Sequence, residues 1–401
     1  MRVLITGARA PVAIEWARLL MRQGHQVTMS DCCRLPLGRF LTGIDRYVRT
    51  TSPRQDPQQY QNEIVKLVED HQIQMLIPTC EEIFYLAQFS HLLKQTNCLI
   101  SELELLLSLH DKSAVFELLS GLAGVKFPMT KKLTTSTQID PEWESILKPT
   151  FCRFGEQVIR DIKQVDLQQL DISHSTPWVQ QQKLIGQALC NYALFDQGKL
   201  IAHQVYRPDY CVNGSAATYF QPIEHEAINT FINAFAKQFQ FHGQVSFDFI
   251  EHQGECYVIE CNPRATSGLH LVAEHLQCWS SFKANVGQVH AAIDQANVSE
   301  LRTSERRQLA TNTENNKSSQ AQYIGFSMLI AGGLNMLFKR QTWRDFSAAK
   351  NALGDKNYPL PSWALLLSSA ELLTTALYRN QSLAAASTAD IEWNGQHGSG
   401  M

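Results

Sequence analysis

The sequence predicts a mixed fold, α/β at the N-terminus and α+β beyond it, followed by a helical C-terminal extension. Three observations support this prediction: a strand–helix–strand opening, two hairpin signals in the middle of the chain, and apolar helical runs after residue 322. The chain has 401 residues, which is enough for two or three domains of ordinary size.

The opening residues provide the strand–helix–strand unit. A short apolar strand leads through Gly7 into helical apolar spacing over residues 12–23, and a second strand over residues 26–29 ends at Asp31. This order implies a parallel sheet with helices on its faces, so we predict a Rossmann-like N-terminal domain. Gly7 and Asp31 would also suit a dinucleotide, but the GxGxxG pattern is absent. An NAD(P)-dependent oxidoreductase is therefore the least favoured hypothesis.

The same domain continues through a strand at residues 74–77. Glu81 and Glu82 follow it, and we interpret both as residues of a helix N-terminus, where acidic side chains suit the helix dipole. A single connecting helix is predicted next, capped by Ser108 or Asp111.

Composition narrows the class of protein. Apolar residues make up 44% and charged residues 18%, which indicates a globular chain, and the net charge of -3 gives no electrostatic reason to expect nucleic acid. We recognise no secretory leader, so we expect the ten cysteines to be reduced and the protein to be cytoplasmic. No apolar run approaches the roughly 20 residues of a membrane span.

Two hairpins are predicted in the body, around residues 196–198 and residues 252–254. In the second hairpin, Asp248 and Glu260 are expected to be diagonal neighbours on one face, which Asn262 extends. The other face is expected to be buried, and it comprises Phe247, Phe249, Tyr257 and Ile259. Oxygen ligands at this density favour Mg²⁺ over the plainer alternative of two solvated acids.

A flap-like segment precedes these hairpins. Residues 146–159 are predicted to form strand, loop and strand, with Lys148 where the strand ends and Arg153 in the loop. A lysine at a strand end is usually a solvated charge, but a loop that returns at once into a strand is the layout of a flap over a ligand.

These residues together carry a resemblance. The run FDF…IECNPR resembles the magnesium motif of the ATP-grasp family, which includes carbamoyl-phosphate synthetase, biotin carboxylase and carboxylate–amine ligases, and the match runs in order over residues 105–275. The resemblance implies ATP and one or two Mg²⁺ ions as cofactors, with Mn²⁺ able to substitute. The metal ligands that it implies are Asp248, Glu260 and Asn262. The nucleotide-binding residues that it implies are Lys112, Lys148, Arg153, Gln182, Lys183, Ile185 and Gln187.

Within that set the resemblance assigns roles. The two lysines and Arg153 would contact phosphates, Lys183 and Ile185 would contact the adenine through backbone groups, and Gln187 would bond a ribose hydroxyl. Arg264 would bind the carboxylate or acyl phosphate. Arg207 would add a second cationic contact, although an exposed structural arginine is an equal alternative.

The resemblance implies an ATP-dependent ligase that activates a carboxylate as an acyl phosphate and transfers it to an amine or thiol. Its partners would be small-molecule carboxylate and amine substrates, with a homodimer as an option, and no nucleic acid. Gln182 and Gln187 stand where the family often has glutamates. The alternative hypothesis is therefore a catalytically weak ATP-grasp module with a regulatory or scaffolding role.

The resemblance and, beyond residue 299, composition and apolar spacing suggest domain boundaries. They are a Rossmann-like pre-ATP-grasp domain over 1–105, an ATP-grasp subdomain with the phosphate lysines and flap over 106–185, a second with the magnesium site over 186–299, a polar linker over 300–322, a helical extension over 323–393 and a disordered tail over 394–401.

Overall fold

The computed structural model describes residues 1–151, 157–211, 217–276, 320–325 and 339–395. Within these ranges the strands form three sheets, of five, three and seven strands. The polar linker predicted over 300–322 lies outside the described residues up to residue 319, as do residues 396–401 of the predicted tail.

The first sheet is built from the N-terminal strands. These are β1 (Arg2–Thr6), β2 (Gln26–Asp31), β3 (Arg46–Arg49), β4 (Met75–Ile77) and β5 (Asn97–Cys98). They pair in parallel in the order β3–β2–β1–β4–β5. Val3, Leu4 and Ile5 of β1 are fully buried, as expected for a parallel sheet that is covered on both faces.

Helices accompany these strands. They are α1 (Pro11–Arg22), α2 (Pro57–Asp70), α3 (Glu82–Phe89), α4 (Leu103–His110) and α5 (Val115–Leu118). Helix α1 starts with a proline, whose fixed φ suits the first helical position, and it ends before Gly24, which has φ +78°. Helix α2 starts after Asp56, whose carboxylate accepts the Gln59 N–H at 3.0 Å.

The strand order of the first sheet reverses between β1 and β4, the kind of edge where open α/β sheets place ligands. Side chains fill that edge. A Cβ on Gly7 would lie 2.5 Å from the Thr79 hydroxyl. Asp31 accepts hydrogen bonds from the Arg9 backbone N–H and guanidinium. Gly7 and Asp31, the two residues that would suit a dinucleotide, thus contact other residues of the protein.

The remaining sheets form the body. The three-stranded antiparallel sheet contains β6 (Thr130–Leu133), β7 (Ser145–Pro149) and β8 (Trp178–Gln182). The long strands of the seven-stranded sheet are β9 (Gln187–Asp196), β10 (Lys199–Asp209), β11 (Tyr219–Ile223), β12 (Gly243–His252) and β13 (Glu255–Asn262). Helices α6 (Glu226–Gln238) and α7 (Leu269–Val272) pack on it. Both predicted hairpins form, β9–β10 and β12–β13.

A buried glutamine joins the N-terminal domain to the body. Gln244 of β12 is 1% exposed. Its carbonyl accepts the Trp16 indole N–H at 2.8 Å and the Tyr192 hydroxyl at 2.9 Å, and its amide donates to the Pro78 carbonyl at 2.9 Å. Because every one of these groups is buried and bonded, the junction is fixed rather than loose.

In its described residues the C-terminal extension is mainly helical, as predicted, with two short strands that the sequence did not predict. It contributes α8 (Arg340–Ala348), α9 (Ser362–Arg379), α10 (Leu383–Ala386) and the two-residue strands β14 (Gln322–Tyr323) and β15 (Lys350–Asn351), which extend the seven-stranded sheet. Residues 387–395, here called the C-terminal segment, lie against the carboxyl edge of the first sheet, where Ile391 and Trp393 are each 3% exposed. In the described ranges no helix has both the length and the hydropathy to cross a bilayer.

Candidate active site

The β12–β13 hairpin places two carboxylates opposite each other. Asp248 pairs directly with Glu260, and the next pair along is Phe249 with Val258, so the ladder skips Ile259. This β-bulge corrects two predictions. The carboxylates are direct rather than diagonal neighbours, and Val258, not Tyr257 or Ile259, is the fully buried residue of this part of β13. If Ile259 were paired as in a regular strand and not skipped, strict alternation would put Glu260 on the core face together with Val258.

Asp248, Glu260 and Asn262 converge on one face of the hairpin. The Asn262 amide donates to the Asp248 carboxylate at 3.3 Å. Burial and the neighbouring Glu260 raise the pKa of Asp248 to about 6. Burial acts to raise the pKa of Glu260 as well, but the cationic groups around it, chiefly Lys112 and Lys148, together lower that pKa. The pair is thus an acidic site whose charge requires nearby cations.

Lys112 reaches this site from a break in the predicted connecting helix. The single helix was a wrong prediction: α4 ends at His110, and α5 starts at Val115. Between them the Asp111 carboxylate accepts the Ser113 N–H at 2.7 Å, a local bond that competes with helix continuation. The Lys112 Nζ, 1% exposed, lies 3.4 Å from Glu260 Oε1.

Lys148 reaches the site from β7. It lies inside the strand, which continues to Pro149, and not at its end as predicted. Its Nζ donates to the Ile259 carbonyl at 3.2 Å, and the side chain is buried. Ile259, which has no partner in the ladder, therefore accepts a hydrogen bond from Lys148 through its carbonyl.

Arg264 follows the hairpin and is held by its own loop and by the first domain. Its guanidinium donates to Asn262 Oδ1 at 2.8 Å and to the Ala265 carbonyl at 3.2 Å. Its Nε lies 3.9 Å from a carboxylate oxygen of Glu81, which in turn lies 4.0 Å from His110 Nε2. Sequence analysis missed Glu81 and His110 as site residues. The available signals were an acid beyond those needed to cap α3 and a histidine two residues before Lys112.

The segment proposed to hold the adenine follows β8. The Gln182 side chain accepts the Met129 N–H at 3.3 Å, and the Lys183 N–H donates to the Glu144 carbonyl at 3.3 Å. Ile185 is 70% exposed. Gly186 permits a close approach to β12, because a Cβ there would lie 1.9 Å from the Glu251 carbonyl oxygen.

That approach fixes the distance between the two ends of the site. Ile185 also contacts His252 at the end of β12, with its carbonyl 2.8 Å from the imidazole. His252 is four residues from Asp248, or about 13 Å along a strand. An extended nucleotide could span this separation.

The other predicted site residues contact their own neighbours along the strand or lie outside the described ranges. Gln187 is exposed, and its amide donates to the Ala188 carbonyl at 3.1 Å. The side chain of Arg207 on β10 is 43% exposed and pairs with Asp209 at 3.1 Å. Arg153 lies outside the described residues, so its role stays a prediction.

The match to known proteins falls on this part of the chain. Residues 109–268 match the ATP-grasp domain family. The chain contains an ATP-grasp domain. The predicted fold class is confirmed: a Rossmann-like N-terminal domain precedes the two ATP-grasp sheets, and helices lie towards the C-terminus. The domain boundaries predicted beyond this match stay predictions.

Solved ATP-grasp structures are similar over about two thirds of the chain. An N5-carboxyaminoimidazole synthetase from Staphylococcus aureus with ADP has a TM-score of 0.55 and 16% identity, over 68% of this chain and 73% of that one. An L-amino acid ligase from Bacillus licheniformis has a TM-score of 0.53 and 13% identity, over 68% of this chain and 70% of that one. A biotin carboxylase from Campylobacter jejuni has a TM-score of 0.52 and 15% identity, over 67% and 66%. At these identities the likeness establishes the fold alone. No curated protein matches the sequence.

Proposed function

We propose that this protein is an ATP-dependent ligase that activates a carboxylate as an acyl phosphate and transfers it to an amine or a thiol. The observation that carries the proposal is the meeting of Asp248 and Glu260 with two buried lysines, Lys112 and Lys148, beside Arg264. Two partly buried acids and three cations, two of them fully buried, are expensive to bring together at one point unless they serve a charged ligand.

The donor set fits a magnesium ion that is shared with phosphates. In the described part of the chain no group of three or more His, Cys, Asp or Glu could hold a metal by itself. Mg²⁺ is commonly held by one or two carboxylates together with substrate phosphates and water, which agrees with Asp248 and Glu260 plus the Asn262 amide. When bound, the ion would neutralise and orient the phosphates.

The lysines would act on the same phosphates. Lys112 is now paired with Glu260, and Lys148 with a backbone carbonyl. We expect both ammonium groups to turn to phosphate oxygens when ATP binds. An anionic phosphate is a stronger partner for Lys148 than a carbonyl, and Mg²⁺ would replace Lys112 as the cation beside Glu260. The Lys183 N–H is already bonded, so its carbonyl is the group that we expect to accept from the adenine amino group.

The chemistry follows from the leaving group. A carboxylate does not react with an amine, because oxide would have to leave. Transfer of the γ-phosphoryl group from ATP to a carboxylate oxygen releases ADP and gives an acyl phosphate. The amine or thiol then attacks its carbonyl carbon, loses a proton and expels phosphate. The Arg264 guanidinium offers a planar pair of N–H donors to the acid and can hold its oxyanion during the attack.

A catalytically weak ATP-binding module is the second candidate, and the adenine segment favours it. Gln182 and Gln187 place neutral amides where the family often has carboxylates, and both side chains already have partners in the protein. This candidate predicts ATP binding without acid-dependent turnover.

The test is ADP release in the presence of Mg²⁺ and ATP, screened against panels of amino acids and other carboxylic acids with amine and thiol acceptors. We expect acid-dependent ADP release from the native protein, and a loss of roughly a hundredfold or more in Asp248→Asn and Glu260→Gln. Glu255→Gln is the matched control, because Glu255 is a half-exposed acid on the same hairpin that pairs with Lys126. ATP binding without acid-dependent release would support the module, and full activity in both site variants would contradict the metal assignment.

A further inference from the structure

Glu81 is a fully buried carboxylate at the boundary between the first domain and the candidate active site. It is 0% exposed and lies between the end of β4 and the start of α3. One of its oxygens accepts the backbone N–H of Trp393 at 3.0 Å. Its other oxygen lies 3.9 Å from Arg264 Nε and 4.0 Å from His110 Nε2. A single side chain therefore contacts the C-terminal segment and the proposed substrate-binding arginine.

Capping of helix α3 does not account for this burial. The neighbouring Glu82 satisfies the backbone there, because its carboxylate accepts the Thr79 N–H at 3.0 Å and the Cys80 N–H at 3.2 Å. Glu82 also accepts the Thr6 hydroxyl at 2.7 Å. Because Glu82 already accepts the backbone N–H groups of the turn, Glu81 is not required there. Its side chain lies against Arg264 instead.

The geometry of Arg264 shows what this acid can do. The two terminal nitrogens of the guanidinium donate to the Ala265 carbonyl and the Asn262 side chain, at and just after the end of β13, and the Nε side faces Glu81. A carboxylate on the Nε side fixes the rotation of the planar group about its long axis. The direction in which the fork presents its N–H donors then follows from the position of Glu81.

The C-terminal segment fixes Glu81 in turn. Asp390 pairs with Arg9 at 2.6 Å, and its carbonyl accepts the Ser52 hydroxyl at 2.6 Å. The Trp393 ring packs edge-on against Tyr85 with centroids 5.0 Å apart. These contacts anchor the segment to the carboxyl edge of the first sheet and hold the Trp393 N–H against Glu81.

We propose that Glu81, held by the Trp393 backbone, is a positioning residue that orients Arg264 for the carboxylate substrate. The inference rests on the proposed function and adds two parts of the chain to it, the end of β4 and the C-terminal segment. It explains why a chain segment more than 300 residues from Glu81 in sequence packs against this acid.

The first test changes the charge of Glu81 and keeps its shape. Glu81→Gln retains an acceptor for the Trp393 N–H but removes the negative charge beside Arg264. We expect the KM for the acid to rise roughly tenfold while the KM for ATP stays within twofold. Glu82→Gln is the matched control, because it removes an equally buried charge one residue away; it should lower thermal stability without a selective change in the acid KM. Equal effects of Glu81→Gln on acid and ATP, in step with stability, would show a structural role.

The second test removes the Trp393 N–H. Trp393→Pro deletes the donor to Glu81, whereas Trp393→Phe keeps it and retains an aromatic ring. The proposal predicts that only the proline variant reproduces the selective rise in the acid KM. If the phenylalanine variant does so too, packing of the ring and not the bond to Glu81 is responsible, and the proposed link is wrong.

A third measurement does not depend on turnover. In spectra of protein labelled with ¹⁵N-arginine, the Nε–H signal of Arg264 is identified by its loss in Arg264→Lys. We expect Glu81→Gln to shift this signal and to speed its exchange with solvent, while Glu82→Gln leaves it unchanged. An unchanged signal in Glu81→Gln overturns the positioning role even if no acid substrate is found. Absence of acid-dependent ADP release in the native protein, with the signal shifted as expected, would instead count against the proposed function alone.

Discussion

The first sheet and the β12–β13 hairpin differ in regularity, and the difference locates the chemistry. Strands β1 and β2 pair through five consecutive positions, Arg2 with Gln26 to Thr6 with Ser30, without a shift. The hairpin instead carries one extra residue, Ile259, in the middle of its ladder. The regular sheet builds a frame and buries apolar side chains. The irregular hairpin turns a carboxylate away from the core and presents it to ligands.

A second irregularity acts at the same point. The break between α4 and α5 sends Lys112 to Glu260, and the bulged Ile259 offers its carbonyl to Lys148. Each departure leaves backbone groups without their usual partners, and local side chains supply replacements. Charged groups therefore meet where two secondary structure elements are interrupted.

Deletion of Ile259 is expected to have the largest effect. It leaves Asp248 opposite Glu260, but it removes the carbonyl that accepts Lys148 and the local twist that the bulge gives the strand. We expect loss of Mg²⁺-dependent ATP turnover by roughly a thousandfold or more, equivalent to about 4 kcal/mol of transition-state stabilisation. Turnover is measured by ADP release and folding by near-UV circular dichroism.

The control keeps the bulge and changes only the side chain. In Ile259→Ala the carbonyl that meets Lys148 is still present, so turnover should stay within about threefold. A deletion variant that is folded and active would show that the bulge at Ile259 does not place the site.

Arg264→Lys changes the arginine that follows the hairpin, and it is expected to have the next largest effect. Lysine keeps the charge but loses the planar pair of donors, so acid-stimulated ADP release should fall roughly tenfold to a thousandfold. ATP affinity, measured by calorimetric titration, should stay near that of the native protein. Arg264 also bonds the Ala265 carbonyl, so a structural role predicts that ATP affinity and thermal stability fall together.

The regular half of the molecule could be predicted from sequence with good accuracy. The expected helix over 12–23 is α1, Pro11–Arg22, and the expected strand over 26–29 is β2, Gln26–Asp31. Both depend on local periodicity, which the sequence contains in full. The shared face of Asp248, Glu260 and Asn262 was also predictable, since it follows from the two-residue repeat near the end of each strand.

The irregular half could not be predicted, because its determinants are not periodic. Tyr257, Val258 and Ile259 are all apolar, so the pattern cannot show which of them is skipped. The break at Lys112 depends on a local bond of Asp111 that competes closely with the helix. Glu81 meets Arg264 and Trp393 only in the folded chain, and no sequence spacing connects them.

The carboxylate pair should also weaken the fold when no metal is bound. The pKa of Asp248 is raised from its ordinary value of about 4 to about 6. Between pH 4 and pH 6, roughly, the folded protein therefore holds a proton that the unfolded chain releases. Stability therefore falls as pH rises through this window and stays low above it. In EDTA at pH 7, Asp248→Asn should be more stable than the native protein by about 1–3 kcal/mol.

Urea unfolding at pH 4.5 and pH 7 measures this difference, which should be small at the lower pH. Addition of Mg²⁺ and ATP should reverse the order, because only the native site gains stability from binding. A native protein that is already more stable than Asp248→Asn at pH 7 in EDTA would show that the pair is not under electrostatic strain.

The smallest expected effect lies at the edge of the first sheet. The Thr79 hydroxyl donates to the Thr6 carbonyl at 2.7 Å, and Thr79 is 1% exposed. Thr79→Val keeps the shape but leaves that carbonyl without this donor, which should lower the free energy of unfolding by about 1 kcal/mol. ATP turnover should be unchanged, because this bond joins two parts of the first domain and touches none of the proposed ligand-binding residues. Urea unfolding and ADP release from the same preparation separate the two quantities. If turnover falls while stability holds, the carboxyl edge of the first sheet takes part in the chemistry, and the division between a regular frame and an irregular site is wrong.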